Sequence, residues 1–267
     1  MLAFANAKIN IGLHITEKRE DGYHNLETIF YPVKLYDVVE IIDAATTHCV
    51  IKGLTVPGAE KDNLCLKAYY MLAEEFDLPP QQICLLKNIP IGAGLGGGSA
   101  DGAFTLKLLN DKFGLGLTVV DLQRYASRLG ADCAFFVENQ AALAIGKGDE
   151  LAPIALDLSA YYKVLVKPPV FISTAAAYAQ VKPTKPEVAL KDLIHLPVSE
   201  WRSSVFNDFE DSVGEVFPEV AELKNSLYLA GATFALMSGS GSVVYALFEK
   251  ELRLPELEKD NQLYYNV

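Results

Sequence analysis

The chain has 267 residues, of which 51% are hydrophobic and 21% charged, with a formal net charge of -11. That apolar content suffices for one large or two medium domains and argues against disorder. The acidic balance, with no basic stripe, argues against a nucleic-acid partner while leaving room for a nucleotide in a locally positive pocket. No apolar run approaches the ~18 residues of a membrane span, and residues 1–8 lack the pattern of a signal peptide or anchor. The cysteines Cys49, Cys65, Cys84 and Cys133 form no C-x-x-C pair, so they read as reduced core residues of a cytoplasmic protein.

Apolar and polar residues alternate over 5–15, which predicts a strand with Lys8 and Asn10 on its polar face, about 7 Å apart. Glu20-Asp21-Gly22-Tyr23-His24 is turn chemistry, and β-rich segments follow at 27–35 and 37–42. Residues 63–76 read as a helix, and 83–89 as a strand ending at Pro90. Beyond a glycine loop, Phe104, Leu106, Leu108, Leu109 and Phe113 recur at helical spacing up to a stop at Gly114. Ser99 is the expected N-cap of this helix, with Asp101 in its first turn. A helix over 120–129 closes at Gly130, and a strand over 141–145 runs into the turn Gly146-Lys147-Gly148-Asp149.

A boundary near 156–160 divides the chain into domains 1–156 and 157–267. The second half predicts a strand at 162–166, helices at 174–181, 201–208 and 218–229, and strands at 233–237 and 243–248 around the small turn Ser238-Gly239-Ser240-Gly241-Ser242. There is no internal repeat, and no heptad or extended apolar face specifies an oligomer. The mixture predicts an α+β fold of two domains with the active site in the cleft between them.

The loop carries the densest functional signal. Glycine stands at 92, 94, 96, 97, 98 and 102. Each glycine in an element interior costs roughly 0.5–1 kcal/mol relative to alanine. Concentrating that cost between a strand and a helix suits close approach to a phosphate, which takes backbone N–H bonds at a helix N-terminus. The loop lacks the Gly-Lys-Ser/Thr ending of a Walker A loop. Residues 92–97 match G-x-G-x-x-G, but about ninety residues precede them, whereas a dinucleotide fold places that loop after its first strand.

Two charged residues stand in apolar surroundings: Lys8 in the first strand, and Asp132 in Leu129-Gly130-Ala131-Asp132-Cys133-Ala134-Phe135-Phe136. A lone carboxylate there needs a partner, and Lys8 is the candidate. The bland readings, a solvated strand lysine and a turn aspartate, stay open at this point.

Pro90-Ile91-Gly92-Ala93-Gly94-Leu95-Gly96-Gly97-Gly98-Ser99-Ala100 resembles the phosphate loop of the GHMP kinases (galactokinase, homoserine kinase, mevalonate kinase and relatives). Ser238-Gly239-Ser240-Gly241-Ser242 resembles that family's C-terminal glycine motif. Ala7-Lys8-Ile9-Asn10, Asp21-Gly22-Tyr23-His24, Leu129-Gly130-Ala131-Asp132 and Asn207-Asp208-Phe209-Glu210 extend the likeness along nearly the whole chain. The resemblance implies an ATP-dependent kinase acting on an alcohol of a small-molecule cytidyl diphosphate substrate. It makes Lys8 and Asp132 the catalytic pair and residues 90–100 the ATP cradle, with Asn63 in the segment associated with adenine. It makes Asn10, Tyr23, His24, Thr174 and Tyr178 substrate-binding, the aromatic residues as a clamp on the cytidine base. Mg²⁺ is implied as cofactor with no motif naming its ligands, and Asp101 is either a helix cap or a contributor to that ion. The alternatives are another GHMP kinase, for homoserine, a mevalonate-type substrate or a sugar, and a nucleotide-binding regulator without catalysis.

Overall fold

The computed structural model describes residues 1–267. The chain forms two compact units that interleave in sequence. Residues 1–8, 35–91 and 96–140 make the first, and residues 9–34, 92–95 and 141–267 the second. Two long strands, β1 (Leu2–Lys18) and β2 (His24–Asp43), contribute residues to both. The segments expected at 27–35 and 37–42 are thus one strand. The expected gap at residue 36 is absent, and Asp37 beside it is fully buried and paired with Lys87.

In the first unit follow β3 (His48–Gly53), α1 (Leu64–Phe76), β4 (Gln81–Lys87), α2 (Gly97–Phe113), α3 (Val119–Leu129) and the single turn α4 (Phe135–Glu138). β4 lies between β2, to which it is antiparallel, and β3, to which it is parallel. Val39, Ile41, Ile83 and Leu85 are buried, as the period of two requires. Helices α1, α2 and α3 pack on one another, and Leu72, Leu106, Leu109 and Leu122 on them are buried. α3 opens with a reciprocal capping box between Thr118 and Asp121.

The start of α2 differs from expectation. Gly96, at φ 69°, is the N-cap, and Ser99 lies inside the first turn. A left-handed cap needs glycine, and the Ala100 N–H already closes on the Gly96 carbonyl at 2.9 Å. Asp101 consequently falls beyond the first turn and faces inward, 3% exposed.

In the second unit, β5 (Ala142–Ile145) pairs with residues 28–30 of β2, and β6 (Glu150–Pro153) pairs with β5. The remainder is β7 (Tyr162–Lys167), α5 (Thr174–Gln180), α6 (Leu190–Leu193), α7 (Phe209–Val216), α8 (Pro218–Leu229), β8 (Phe234–Met237), β9 (Val244–Phe248), α9 (Pro255–Glu258) and β10 (Gln262–Tyr265). Its four-stranded antiparallel sheet has the order β10-β7-β9-β8. Val164, Val166, Ala246 and Met237 pack there against Phe209, Val213, Leu223 and Leu227.

The helix expected over 201–208 is a correction. A 3-10 segment (Val198–Ser203) stops short, and α7 begins at Phe209. β1 captures the intervening chain: Leu13 N–H donates to the Phe206 carbonyl, and Asp208 N–H to the Leu13 carbonyl, both at 2.9 Å. The Asp208 carboxylate also accepts the Ile15 N–H at 2.7 Å. These bonds satisfy backbone groups that a helix would have used. No helix is long and apolar enough to cross a membrane.

Candidate active site

Within the first unit, β1 presents Lys8 to Asp132 on the turn after α3, Nζ to Oδ2 3.4 Å. The Lys8 side chain is 4% exposed and that of Asp132 33%. Burial holds the Lys8 ammonium below the usual lysine range, and the charge and hydrogen bond of Asp132 oppose that shift. The N-terminus of α2 abuts this pair. A Cβ at Gly96 would stand 3.0 Å from Phe136 Cζ and 3.2 Å from the Lys8 Cγ and Cε, so a side chain there would crowd the lysine. Cys133, next to Asp132, is hydrogen-bonded to Ser99; burial pushes its thiol up to about 12, which leaves it an inert core thiol.

At the head of α2 the first-turn N–H groups have no intrahelical acceptor and carry the positive end of the helix dipole. Gly98 is exposed, and a Cβ built on it meets nothing within 4 Å. An open space in front of free N–H groups fits an anion such as a nucleotide phosphate. Asn63 has a local duty: its side chain accepts the Cys65 N–H at 2.8 Å and caps α1.

Asp101 is a further correction. It does not cap the helix, and it is buried. Its Oδ2 accepts from Lys87 Nζ at 2.7 Å, and Lys87 also pairs with Asp37. Burial, with Asp37 adding and Lys87 opposing, pushes the Asp101 carboxyl up to about 8.

In the second unit, Asn10 Nδ2 donates to Thr28 Oγ1 at 2.9 Å, and Thr28 in turn to the Gly12 carbonyl at 2.5 Å. The Asn10 N–H donates to Ser238 Oγ at 3.2 Å, and Ser238 Oγ to the Gly94 carbonyl at 2.8 Å. Gly94 sits at φ 76° against the Ser238 carbonyl, where any side chain would collide. Asn207 Nδ2 donates to the Met237 and Gly239 carbonyls, both at 2.8 Å, and Glu210 accepts the Met237 N–H at 2.9 Å. Thus Asn207, Glu210 and Ser238 tie the C-terminal glycine turn to residues 93–94 and to β1. The glycine motif and Asn207-Asp208-Phe209-Glu210 were the available sequence signals for this network.

Of the expected base clamp, the structure brings His24 and Tyr178 together, stacked at 5.0 Å and 24°. Phe209 meets Tyr178 edge-on at 4.8 Å. Tyr23 is 63% exposed, with the Lys147 ammonium 5.3 Å from its ring centre. Thr174 Oγ1 lies 3.1 Å from Ser240 Oγ.

A family model described as GHMP kinases N terminal domain matches residues 63–140, and one described as GHMP kinases C terminal matches residues 189–265. The chain belongs to the GHMP kinases and is an ATP-dependent small-molecule kinase with their α+β fold. Within that family it is similar to proteins named 4-diphosphocytidyl-2-C-methyl-D-erythritol kinase. The one from Bacteroides fragilis is 52% identical over 262 residues, which is 97% of this chain and 96% of that protein. The one from Parabacteroides distasonis is 49% identical over 256 residues, 96% of this chain and 94% of that protein. A crystal structure of 4-(cytidine 5'-diphospho)-2C-methyl-D-erythritol kinase gives a TM-score of 0.83 at 30% identity, covering 99% of this chain and 98% of that one. Homoserine kinase from Cytophaga hutchinsonii, at TM-score 0.66 and 16% identity over 98% of this chain and 95% of that one, shares the fold.

Proposed function

We propose that the protein phosphorylates the 2-hydroxyl of 4-diphosphocytidyl-2-C-methyl-D-erythritol with ATP, giving the 2-phosphate and ADP, in the cytoplasmic non-mevalonate route to isoprenoid precursors. The observation that carries this is the Lys8–Asp132 ion pair set against the N-terminus of α2. Asp132, partly open to solvent, accepts or orients the hydroxyl proton. Lys8 keeps Asp132 ionised and stabilises negative charge in the transferring phosphoryl group.

Residues 90–100 cradle the ATP phosphates through backbone N–H groups, and Asn63 supports the adenine side by capping α1. Asn10 lies two residues along β1 from Lys8 and addresses the same hydroxyl. Tyr23, His24, Thr174 and Tyr178 bind the cytidyl moiety, with aromatic faces for the base and polar edges for recognition. No group of three or more His, Cys, Asp or Glu side chains could hold a metal ion. Mg²⁺ would enter with the ATP phosphates, whose charge it would neutralise.

The test is ADP release in the presence of ATP, Mg²⁺ and the cytidyl substrate. Turnover is expected with the wild type and its loss with Asp132→Ala. Turnover that survives unchanged in Asp132→Ala would remove the mechanism.

A further inference from the structure

Three ionisable side chains outside the catalytic pair meet in the interior of the first unit. Lys87 ends β4, Asp37 lies on β2 and Asp101 on α2, with side-chain exposures of 4%, 0% and 4%. Lys87 bridges the two carboxylates. Asp37 Oδ1 accepts two further bonds, from the N–H groups of Asn88 at 2.6 Å and Ile89 at 2.8 Å. Stability is a poor reason for such a cluster, because apolar residues of similar volume generally serve as well or better.

Its placement supplies another reason. Asn88 and Ile89 are the last residues before Pro90, so Asp37 fixes the chain as it enters the glycine loop. Asp101 lies on α2 just after the loop ends. Lys87 joins the two, and its Nζ is 3.3 Å from where a Cβ on Gly97 would stand. The flanks of a glycine-rich segment, which has little stiffness of its own, are thereby held from one buried point.

We propose that Lys87, Asp37 and Asp101 are positioning residues that fix both flanks of the loop, so that its N–H groups meet ATP in one arrangement. The proposal rests on the reading of residues 90–100 as the ATP cradle. None of the three touches a reacting atom; they act through the backbone of residues 88–98.

The experiment measures KM for ATP and for the cytidyl substrate in Asp101→Ala, Asp101→Asn and Gly98→Val, each at a temperature where circular dichroism shows it folded. Misplacing the loop should raise KM for ATP about tenfold in Asp101→Ala and leave KM for the cytidyl substrate within about twofold. Asp101→Asn keeps an oxygen for Lys87 and should recover most of the loss, to about threefold. A folded Asp101→Ala with wild-type KM for ATP overturns the proposal, as does an equal rise in both KM values. Should Asp101→Ala not fold, an unchanged KM for ATP in Asp101→Asn overturns it equally. Gly98→Val separates the two readings, since it fills open space without touching the cluster. If Gly98→Val leaves KM for ATP unchanged, the cradle reading falls; if it raises KM while the Asp101 variants do not, only the clamp falls.

Discussion

Two buried lysines of the first unit stand close to the start of the same helix, and their surroundings differ in one respect. Lys8 faces a single carboxylate that is 33% exposed, and Lys87 faces two carboxylates that are almost fully buried. The directions of their ammonium groups diverge accordingly. Burial lowers Lys8, and one half-exposed partner does not restore it. Burial would lower Lys87 as well, but the charges of Asp101 and Asp37 outweigh it and raise it. Lys87 is thus locked as a cation in a closed cluster, whereas Lys8 keeps a partner that solvent or substrate can reach. The partner's exposure, more than the lysine's own burial, is what distinguishes the two sites.

The sharpest break of this comparison is Lys8→Met against Lys87→Met. Lys8→Met should lower kcat by about 10²–10³ while the thermal midpoint holds or rises, because Asp132 keeps its water and a buried charge is gone. Lys87→Met strands the buried Asp37 carboxylate and leaves the buried Asp101 without its hydrogen-bond donor, and should lower unfolding free energy by about 3–5 kcal/mol in urea titrations. If the two variants exchanged these signatures, the assignment of roles would be reversed.

Asp101→Asn sharpens the same contrast through pH. The Asp101 carboxyl rises from an ordinary 3.8 to about 8, driven by burial, with Asp37 adding and Lys87, the one cation facing it, opposing; the buried Cys65 and the part-buried Cys49 thiols also lie in its field. Between those two values the folded state holds a proton that the unfolded state has released. This contribution to stability is complete below pH 3.8 and is lost as pH rises towards 8. Unfolding at pH 5 and pH 8 should therefore show a smaller decline for Asp101→Asn than for the wild type, and equal declines would sink the point. The smallest effect belongs to a site apart from both lysines. Tyr178→Ala removes stacking worth about 0.5–1.5 kcal/mol, so KM for the cytidyl substrate should rise a few-fold while KM for ATP stays put.

Local chemistry made much of the fold legible. The helix Pro218–Leu229 was bounded by its proline at the first position, and α3 by its closing Gly130. The Lys8–Asp132 pairing was legible because each charge stood alone in apolar sequence. What stayed hidden depended on distant partners. The helix expected at 201–208 was undone by β1, whose Leu13 and Ile15 take the bonds of residues 206 and 208. Asp101 looked like a helix-start acid because its distance from Lys87 is set by the register of α2 on β4, which no window of residues expresses. Ser99 lost the cap to Gly96 because the chain turns left-handed at Gly96, where glycine is favoured, with Phe136 and Lys8 packed close against it.

Gly98 has an evolutionary consequence of its own. Alanine at that helical position meets no atom of the protein and would stiffen the helix by about 1 kcal/mol. A search for thermostable variants scored on folding alone would therefore accept it at once, and under the proposed cradle would select a hardier protein with a methyl group in the phosphate's path. On the proposed reading, heat tolerance and phosphate binding favour different residues at position 98.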